Sequence, residues 1–341
     1  MNHSTELSSS VEMAPEEFDG WTVVVCVILG LSFLIGAPGN LLVIWTILRH
    51  VKQRSHTVLL ILHLAVADLL VLITLPLWIY SLADTLVFGG AFCMALVYIV
   101  YVCMFSSIFF ITLMSVERYL AICHPFLMMR WKNKSIMNTC LALLWLLALL
   151  LGVPALMTAP MDESDVTESC FIKEFSSVTQ AIILLCLESL AGFVVPFVIL
   201  SICYCLVAAQ LRKMNYNSKL KSIVLVHAVV IAFTLCWLPW HIINIIDVVC
   251  ILNSGTDHEC VQESVVFTSG ALVFISSSVN PILYVLFAKN LRGSLEQSPL
   301  VRLFQEMVTH TNKLRELVIQ HQTGQRAANT QLELMSDSET N

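Results

Sequence analysis

The sequence predicts an all-α membrane protein, a bundle of seven spanning helices followed by a short cytoplasmic amphipathic helix. Of its 341 residues, 57% are hydrophobic and only 12% are charged, so the chain has more apolar surface than a water-soluble fold can bury. Seven apolar stretches are each long enough to supply the ~20 residues of a spanning helix. They lie at residues 21–48, 58–82, 93–123, 136–158, 178–209, 220–250 and 263–287.

Lysine and arginine residues predict the orientation of this bundle, because short cytoplasmic loops retain positive charge. Three loops, at residues 49–57, 118–135 and 210–222, and the tail together hold all of these residues except Lys173. We therefore expect an extracellular terminus at residues 1–20, a membrane domain at 21–288 and a cytoplasmic helix and tail at 289–341. Asn2 begins a glycosylation sequon on the outer side. The net charge of -6 gives no reason to expect a nucleic-acid partner.

Polar side chains within the first three helices are candidates for function, because such groups are costly at membrane depth. They stand at Asn40 in the first helix, at Asp68 in the second, and at Ser106, Ser107, Glu117 and Arg118 in the third. Asp68 is near the middle of its helix, whereas Glu117 and Arg118 are at the inner end of theirs.

The seventh helix contains Asn280 and Pro281 inside the apolar run FISSSVNPILYVLFAKN. A proline costs about 3 kcal/mol in a helix interior, so a nearby group is expected to compensate. If Asp68, Ser107, Ser277 and Asn280 converge on the bundle axis, they form an oxygen-rich cavity for water and a sodium ion. The carbonyl freed by Pro281 would then find partners there. The alternative is that Asp68 is simply protonated and hydrogen-bonded.

The 12 cysteines do not predict a disulfide framework, because most lie within helices as small apolar residues. Four lie on the outer, oxidising face. We expect a bridge between Cys93, which opens the third helix, and Cys170 in the following outer loop. Cys250 and Cys260, which bracket a short loop, are either bridged or free.

Short motifs along the chain resemble the rhodopsin-like (class A) family of G-protein-coupled receptors. They occur in order, at least one per helix: GN at Gly39 and Asn40, LAVAD ending at Asp68, ERY at Glu117 to Tyr119, Trp145, Pro196, CWLP at residues 236–239 and NPILY at residues 280–284. The resemblance covers residues 21 to about 295. It implies a plasma-membrane receptor that binds an agonist outside and signals through a heterotrimeric G protein.

The resemblance also implies residue roles. For ligand binding it implies Tyr101, Phe105, Glu188, Trp237, His241 and Asn244. For the switch below the ligand it implies Ile108, Pro196, Phe233, Trp237, Asn280 and Pro281. For G-protein coupling it implies Glu117, Arg118, Tyr119, Tyr204 and Tyr284. On activation the inner end of the sixth helix would swing outward and free Arg118, while Tyr204 and Tyr284 turn inward.

Two departures from the family pattern concern the second, third and sixth helices. The sixth helix begins SKLKSIVLVH and offers no acid to pair with Arg118, so one restraint on the resting state is expected to be missing. His63 stands where asparagine is common, opposite Trp145, and the sequence gives no functional account of it.

Depth in the membrane supports the ligand-binding role of two residues. Glu188 precedes Pro196 by eight residues, roughly two turns, which is too deep for an idle surface charge. His241 follows Trp237 by about one turn and could bond Glu188 or a ligand hydroxyl. The alternative is that Glu188 only bonds a neighbouring helix.

The segments LESLAGFVVP, CWLPWHIIN and FISSSVNPILY resemble the leukotriene B4 receptors of the chemoattractant group, which implies a lipid ligand. The outer halves of these helices offer the acids Glu188 and Asp247 but no lysine or arginine, so a basic chemoattractant peptide remains an alternative. A seven-helix transporter or channel is a third interpretation, but transporters commonly contain internal repeats and none is evident. The sequence has no nucleotide loop or metal-ligand cluster typical of an enzyme, and no cofactor beyond sodium is expected.

The tail contains two candidate helices. AKNLRGSLEQ suits a short helix on the inner membrane surface, and it contains no cysteine for palmitoylation. The stretch from Ser298 to Gln320 has apolar residues at roughly helical spacing and is either a partner-binding or surface helix or a disordered tail. Ser336, Ser338 and Thr340 lie among acids, which is typical of a receptor-kinase and arrestin site.

Overall fold

A computed structural model describes residues 20–51, 55–83, 90–130, 134–158, 175–213, 221–254, 261–289 and 300–305, together with residues 307, 309, 316, 319, 320 and 323. Within these residues it contains seven spans long and apolar enough to cross a membrane. The predicted number and placement of spans are therefore confirmed.

Four of the spans are single helices, and three are interrupted. The first, third, sixth and seventh spans are Gly20–His50, Gly90–Cys123, Lys221–Ser254 and Glu263–Lys289. The second span consists of His56–Leu72 and Leu75–Ala83, the fourth of Lys134–Gly152 and a 3₁₀ turn at Val153–Met157, and the fifth of Val178–Ser189 and Val195–Lys213. A short helix, Pro125–Arg130, follows the third span.

Prolines mark the three interruptions, because a proline lacks an N–H and clashes with the carbonyl four residues before it. Pro76 follows the break in the second span, and Pro154 lies in the 3₁₀ turn of the fourth. Pro196 follows a π-helical turn, Leu190–Val194, that joins the two halves of the fifth span. Single-turn π segments are frequent at functional sites.

The seventh span passes through Pro281 without a break. Because Pro281 has no N–H, the carbonyl of Ser277, four residues earlier, lacks its helical hydrogen bond. Asn40 Nδ2 of the first span donates to this carbonyl at 3.0 Å. The first span approaches closely enough for this because it carries Gly36 and Gly39, where an added Cβ would meet Ser278 and Pro281 at 2.7 Å. Asn40 thus replaces the hydrogen bond that Pro281 removes from the seventh span.

Large apolar side chains cover the outside of the bundle, as a lipid-facing surface requires. Leu34, Leu235 and Leu252 are each about two-thirds exposed to the surroundings of the protein. Inside, one apolar cluster joins Ile108, Phe233 and Trp237 to the inner parts of the first, second, third, sixth and seventh spans. A second cluster fills the outer half between the first, second, third and seventh spans.

A short C-terminal helix follows the seven spans, as the sequence predicts, and is described from Leu300. Its residues belong to the second of the two candidate helices in the tail. Most of the first candidate, AKNLRGSLEQ, lies outside the described residues, as do Asn2 and the phosphorylation candidates after residue 323.

Candidate functional site

A cavity of about 130 Å³ lies between the spans on the predicted outer side. Five of the six residues that the resemblance assigns to the ligand line it, namely Tyr101, Phe105, Glu188, Trp237 and His241. The sixth, Asn244, is buried about one turn beyond His241 and is not among the lining residues. Apart from Glu188 and His241, the lining contains aromatic and aliphatic side chains, glycines and Thr158, and among the described residues it has no lysine or arginine.

Two hydrogen-bond donors hold the carboxylate of Glu188 at the wall of this cavity. Trp240 Nε1 donates to Oε1 at 2.6 Å, and the Tyr101 hydroxyl donates to Oε2 at 3.2 Å. The two donors come from the sixth and third spans, so Glu188 ties three spans together at the cavity. Trp240 was not predicted from the sequence, because a tryptophan in a membrane helix has no sequence signal that assigns it to a carboxylate.

Aromatic stacking on both sides places the ring of His241. Its ring lies between Phe193 and Trp237, with centroid separations of 5.0 and 5.6 Å. Its Nδ1 is 3.4 Å from the hydroxyl of Ser189, the residue next to Glu188. A bond from His241 to Glu188 or to a ligand hydroxyl stays a prediction, whereas the contacts with Ser189 and Phe193 were not predicted from the sequence.

A continuous aromatic stack runs from this cavity towards the inner half of the bundle. Phe197 stacks on Phe193 at 5.5 Å, and Trp237 stacks on Phe233 at 5.2 Å. His241 connects the two pairs, so a displacement at the cavity has an aromatic path into the sixth span. Phe193 lies in the π-helical turn, four residues from Phe197, just before Pro196. The structure therefore brings the predicted switch residues Ile108, Phe233 and Trp237 into one cluster with Phe193 packed against it.

The polar residues at mid-depth converge around Asp68, whose side chain is 1% exposed. Ser107 Oγ donates to Oδ1 at 3.0 Å and Asn280 Nδ2 donates to Oδ2 at 2.7 Å, and the side chain of Ser277 lies beside the same carboxyl group. Nearby, the buried Oδ1 of Asn40 has no hydrogen-bond partner among the described residues. Hard cations such as sodium prefer oxygen ligands from carboxylates, hydroxyls and amides. The side chains around Asp68 offer all three kinds of oxygen, so they are suitable ligands for a sodium ion.

Arg118 and Glu117 lie buried at the predicted cytoplasmic end, and Thr57 of the second span bridges them. Arg118 Nη2 donates to Thr57 Oγ1 at 2.7 Å, and the same hydroxyl donates to Glu117 Oε2 at 2.7 Å. Arg118 Nε is 3.6 Å from Glu117 Oε2. Thr57 was not predicted from the sequence, because a threonine at the start of a helix has an ordinary structural explanation.

The three tyrosines assigned to coupling have different surroundings. The Tyr119 hydroxyl is 2.9 Å from His124 Nε2. Tyr204 is 51% exposed and lines a cavity of about 420 Å³ between the fifth and sixth spans, which also reaches Arg118. Tyr284 is 1% exposed and packs against Phe304 of the C-terminal helix.

Cys93 takes part in a disulfide bond, and so does Cys250. The cysteines predicted to pair with them, Cys170 and Cys260, lie outside the described residues. The other eight cysteines take no part in disulfide bonds.

His63 acquires a structural role that the sequence did not supply. Trp145 Nε1 donates to His63 Nδ1 at 3.2 Å, and the imidazole ring lies 5.6 Å from the ring of Phe110. The histidine thus accepts the tryptophan hydrogen bond and joins the second, third and fourth spans.

Comparison with known proteins identifies a family and several relatives. The family model described as 7 transmembrane receptor (rhodopsin family) matches residues 39–284. Leukotriene B4 receptor 1 of Bos taurus is 32% identical over 304 residues, which cover 86% of this chain and 86% of that protein. Leukotriene B4 receptor 2 of Homo sapiens is 35% identical over 81% of this chain and 78% of its own length. Chemerin-like receptor 2 of Mus musculus is 32% identical over 79% of this chain and 76% of its own length.

Proposed function

Because the chain belongs to the rhodopsin family of seven-transmembrane receptors, we propose that it is a plasma-membrane receptor for a lipid mediator of the leukotriene B4 type. It is a G-protein-coupled receptor of the chemoattractant group and not an enzyme. Its agonist enters from the extracellular side, and a heterotrimeric G protein binds at the end that carries Arg118. Receptor kinase and arrestin act on the tail at Ser336, Ser338 and Thr340.

The observation that carries the lipid proposal is the largely apolar cavity whose wall includes Glu188 and His241. A hydrocarbon chain fits aromatic and aliphatic walls, and its hydroxyl groups find an acceptor in Glu188 and a donor or acceptor in His241. A carboxylate on the same lipid is unfavourable beside Glu188, so it lies towards the extracellular mouth. Lys173, in the outer loop, is the cation that the sequence offers there.

A basic peptide is the second candidate, and the acidity of the outer side favours it. Glu188 would receive a basic group, and the outer loop is acidic at Asp162, Glu163, Asp165, Glu168 and Glu174. Such a surface attracts cationic ligands and raises their association rate.

Calcium and cyclic-AMP assays in transfected cells test the proposal against a panel of eicosanoids and chemoattractant peptides. We expect a hydroxylated eicosanoid to give a saturable response that is lost in the Arg118→Ala variant at equal surface level. A response confined to basic peptides would replace the lipid assignment by the peptide one.

We further propose that Asp68 is charged at rest and holds a sodium ion with Ser107, Ser277 and Asn280. Sodium then favours the resting form, so basal nucleotide exchange on the G protein is expected to be lower in sodium chloride than in choline chloride. Asp68→Asn keeps the shape but removes the charge, and it should abolish this difference. Ser106→Ala is the matched control, because Ser106 Oγ bonds the Val102 carbonyl at 2.7 Å instead of Asp68. An equal sodium response in Asp68→Asn and the unchanged receptor would contradict the site.

A further inference from the structure

The C-terminal helix has a broad apolar face, and this face is buried against other parts of the protein. Leu300, Val301, Leu303, Phe304 and Met307 are each 7% exposed or less. Four of them, at positions 300, 303, 304 and 307, have the i, i+3, i+4, i+7 spacing of one helix face. Gln305 and Thr309, on the other face, are exposed. A helix that lies on a membrane leaves its apolar face to the lipid. Here the bundle covers that face, so the helix is docked on protein.

The docking position is the inner end of the bundle, at Tyr284. The rings of Phe304 and Tyr284 pack edge to face, with centroids 6.1 Å apart. Leu300, Leu303 and Met307 belong to the same apolar cluster as Val51 and Val58, which lie at the inner ends of the first and second spans. Val58 directly follows Thr57, which holds Arg118. The helix therefore lies at the same end of the bundle as the restraint on Arg118.

The surroundings of Tyr284 are unfavourable for its hydroxyl group. This hydroxyl is buried and has no hydrogen-bond partner among the described residues. A buried hydroxyl without a partner is costly, so apolar contacts such as that of Phe304 must hold the side chain in place. Tyr284 would gain a hydrogen bond by moving, provided that the contact with Phe304 is first lost.

We propose that the helix beginning at Leu300 is a tethered inhibitor of this receptor. It occupies the inner end of the bundle at rest, keeps Tyr284 buried, and moves away when a G protein binds. The segment that binds the apolar surface around Tyr284 thus belongs to the same chain. This inference depends on G-protein coupling but not on the identity of the agonist.

Basal nucleotide exchange tests the proposal without any ligand. The full-length Phe304→Ala receptor is compared with the unchanged receptor in membranes supplied with a panel of heterotrimeric G proteins, and GTPγS binding is expressed per surface receptor. We expect Phe304→Ala to raise basal binding about fivefold, the scale of population shift for one lost buried contact. Gln305→Ala, on the exposed face of the same helix, is the matched control and should change nothing.

A peptide of residues 300–320, added to membranes of the unchanged receptor, provides a second measurement that does not depend on the folding of a variant. It should lower GTPγS binding, and the same peptide with Phe304→Ala should not. A purely supporting helix predicts the opposite pattern, in which Phe304→Ala lowers surface level without raising exchange per receptor. Unchanged or reduced exchange in Phe304→Ala, or a peptide without effect, would overturn the proposal.

Discussion

Replacing Arg118 by alanine is expected to abolish G-protein activation while leaving the receptor at the cell surface. Arg118 is 4% exposed at rest and is held by Thr57 and Glu117. These contacts are polar and join the second and third spans, so the guanidinium can exchange them for contacts to a G protein once the sixth span has moved outward. The folded state should survive, because Thr57 Oγ1 still donates to Glu117 when Arg118 is absent.

The measurement is agonist-stimulated GTPγS binding, normalised to surface receptor. Arg49→Ala is the matched control, since Arg49 is an exposed arginine at the end of the first span. Glu117→Gln should act in the opposite direction to Arg118→Ala and raise basal binding, because it weakens the hold on Arg118. An unchanged agonist response in Arg118→Ala would remove Arg118 from the coupling site.

The seven spans were predictable from the sequence because the bilayer fixes both the length and the composition of a spanning helix. The convergence of Asp68, Ser107 and Asn280 was predictable for a related reason. Few strongly polar groups occur at membrane depth, and each of them needs a partner there. The proline in the seventh span likewise required a compensating donor, although the sequence did not single out Asn40 as the group that supplies it.

Contacts that depend on helix register were not predictable. Thr57, Phe193 and Trp240 are ordinary residues of a membrane helix, and their roles follow only from which faces of neighbouring spans meet. The π-helical turn at Leu190–Val194 rotates the fifth span and brings Phe193 against His241. Spacing in the tail indicated an amphipathic helix, but apolar spacing is the same whether lipid or protein covers the face.

Replacing Glu188 by glutamine is expected to weaken agonist potency by about tenfold or more, with normal surface expression. The change removes the charge but keeps the shape, and the glutamine oxygen can still accept the hydrogen bond of Trp240. The fold therefore loses little, whereas a ligand hydroxyl or cation loses a charged acceptor. A tenfold loss corresponds to ~1.4 kcal/mol, the scale of one buried polar contact.

His241→Ala should weaken potency to a similar extent, and for two reasons. It removes a polar group from the cavity wall, and it interrupts the stack between Phe193 and Trp237 that leads towards Phe233. The loss of stacking affects the response more than the binding of the ligand. The maximal response to agonist should therefore fall in His241→Ala but not in Glu188→Gln.

Concentration–response curves for the agonist found in the panel measure both effects, together with surface expression. Asp247→Asn is the matched control, because Asp247 is an acid on the same span as His241 that does not line the cavity. If Glu188 serves only to join the third, fifth and sixth spans through Tyr101 and Trp240, its replacement will lower surface expression and leave the potency of the remaining receptor unchanged. That result, found for both Glu188→Gln and His241→Ala, would exclude both residues from the ligand site.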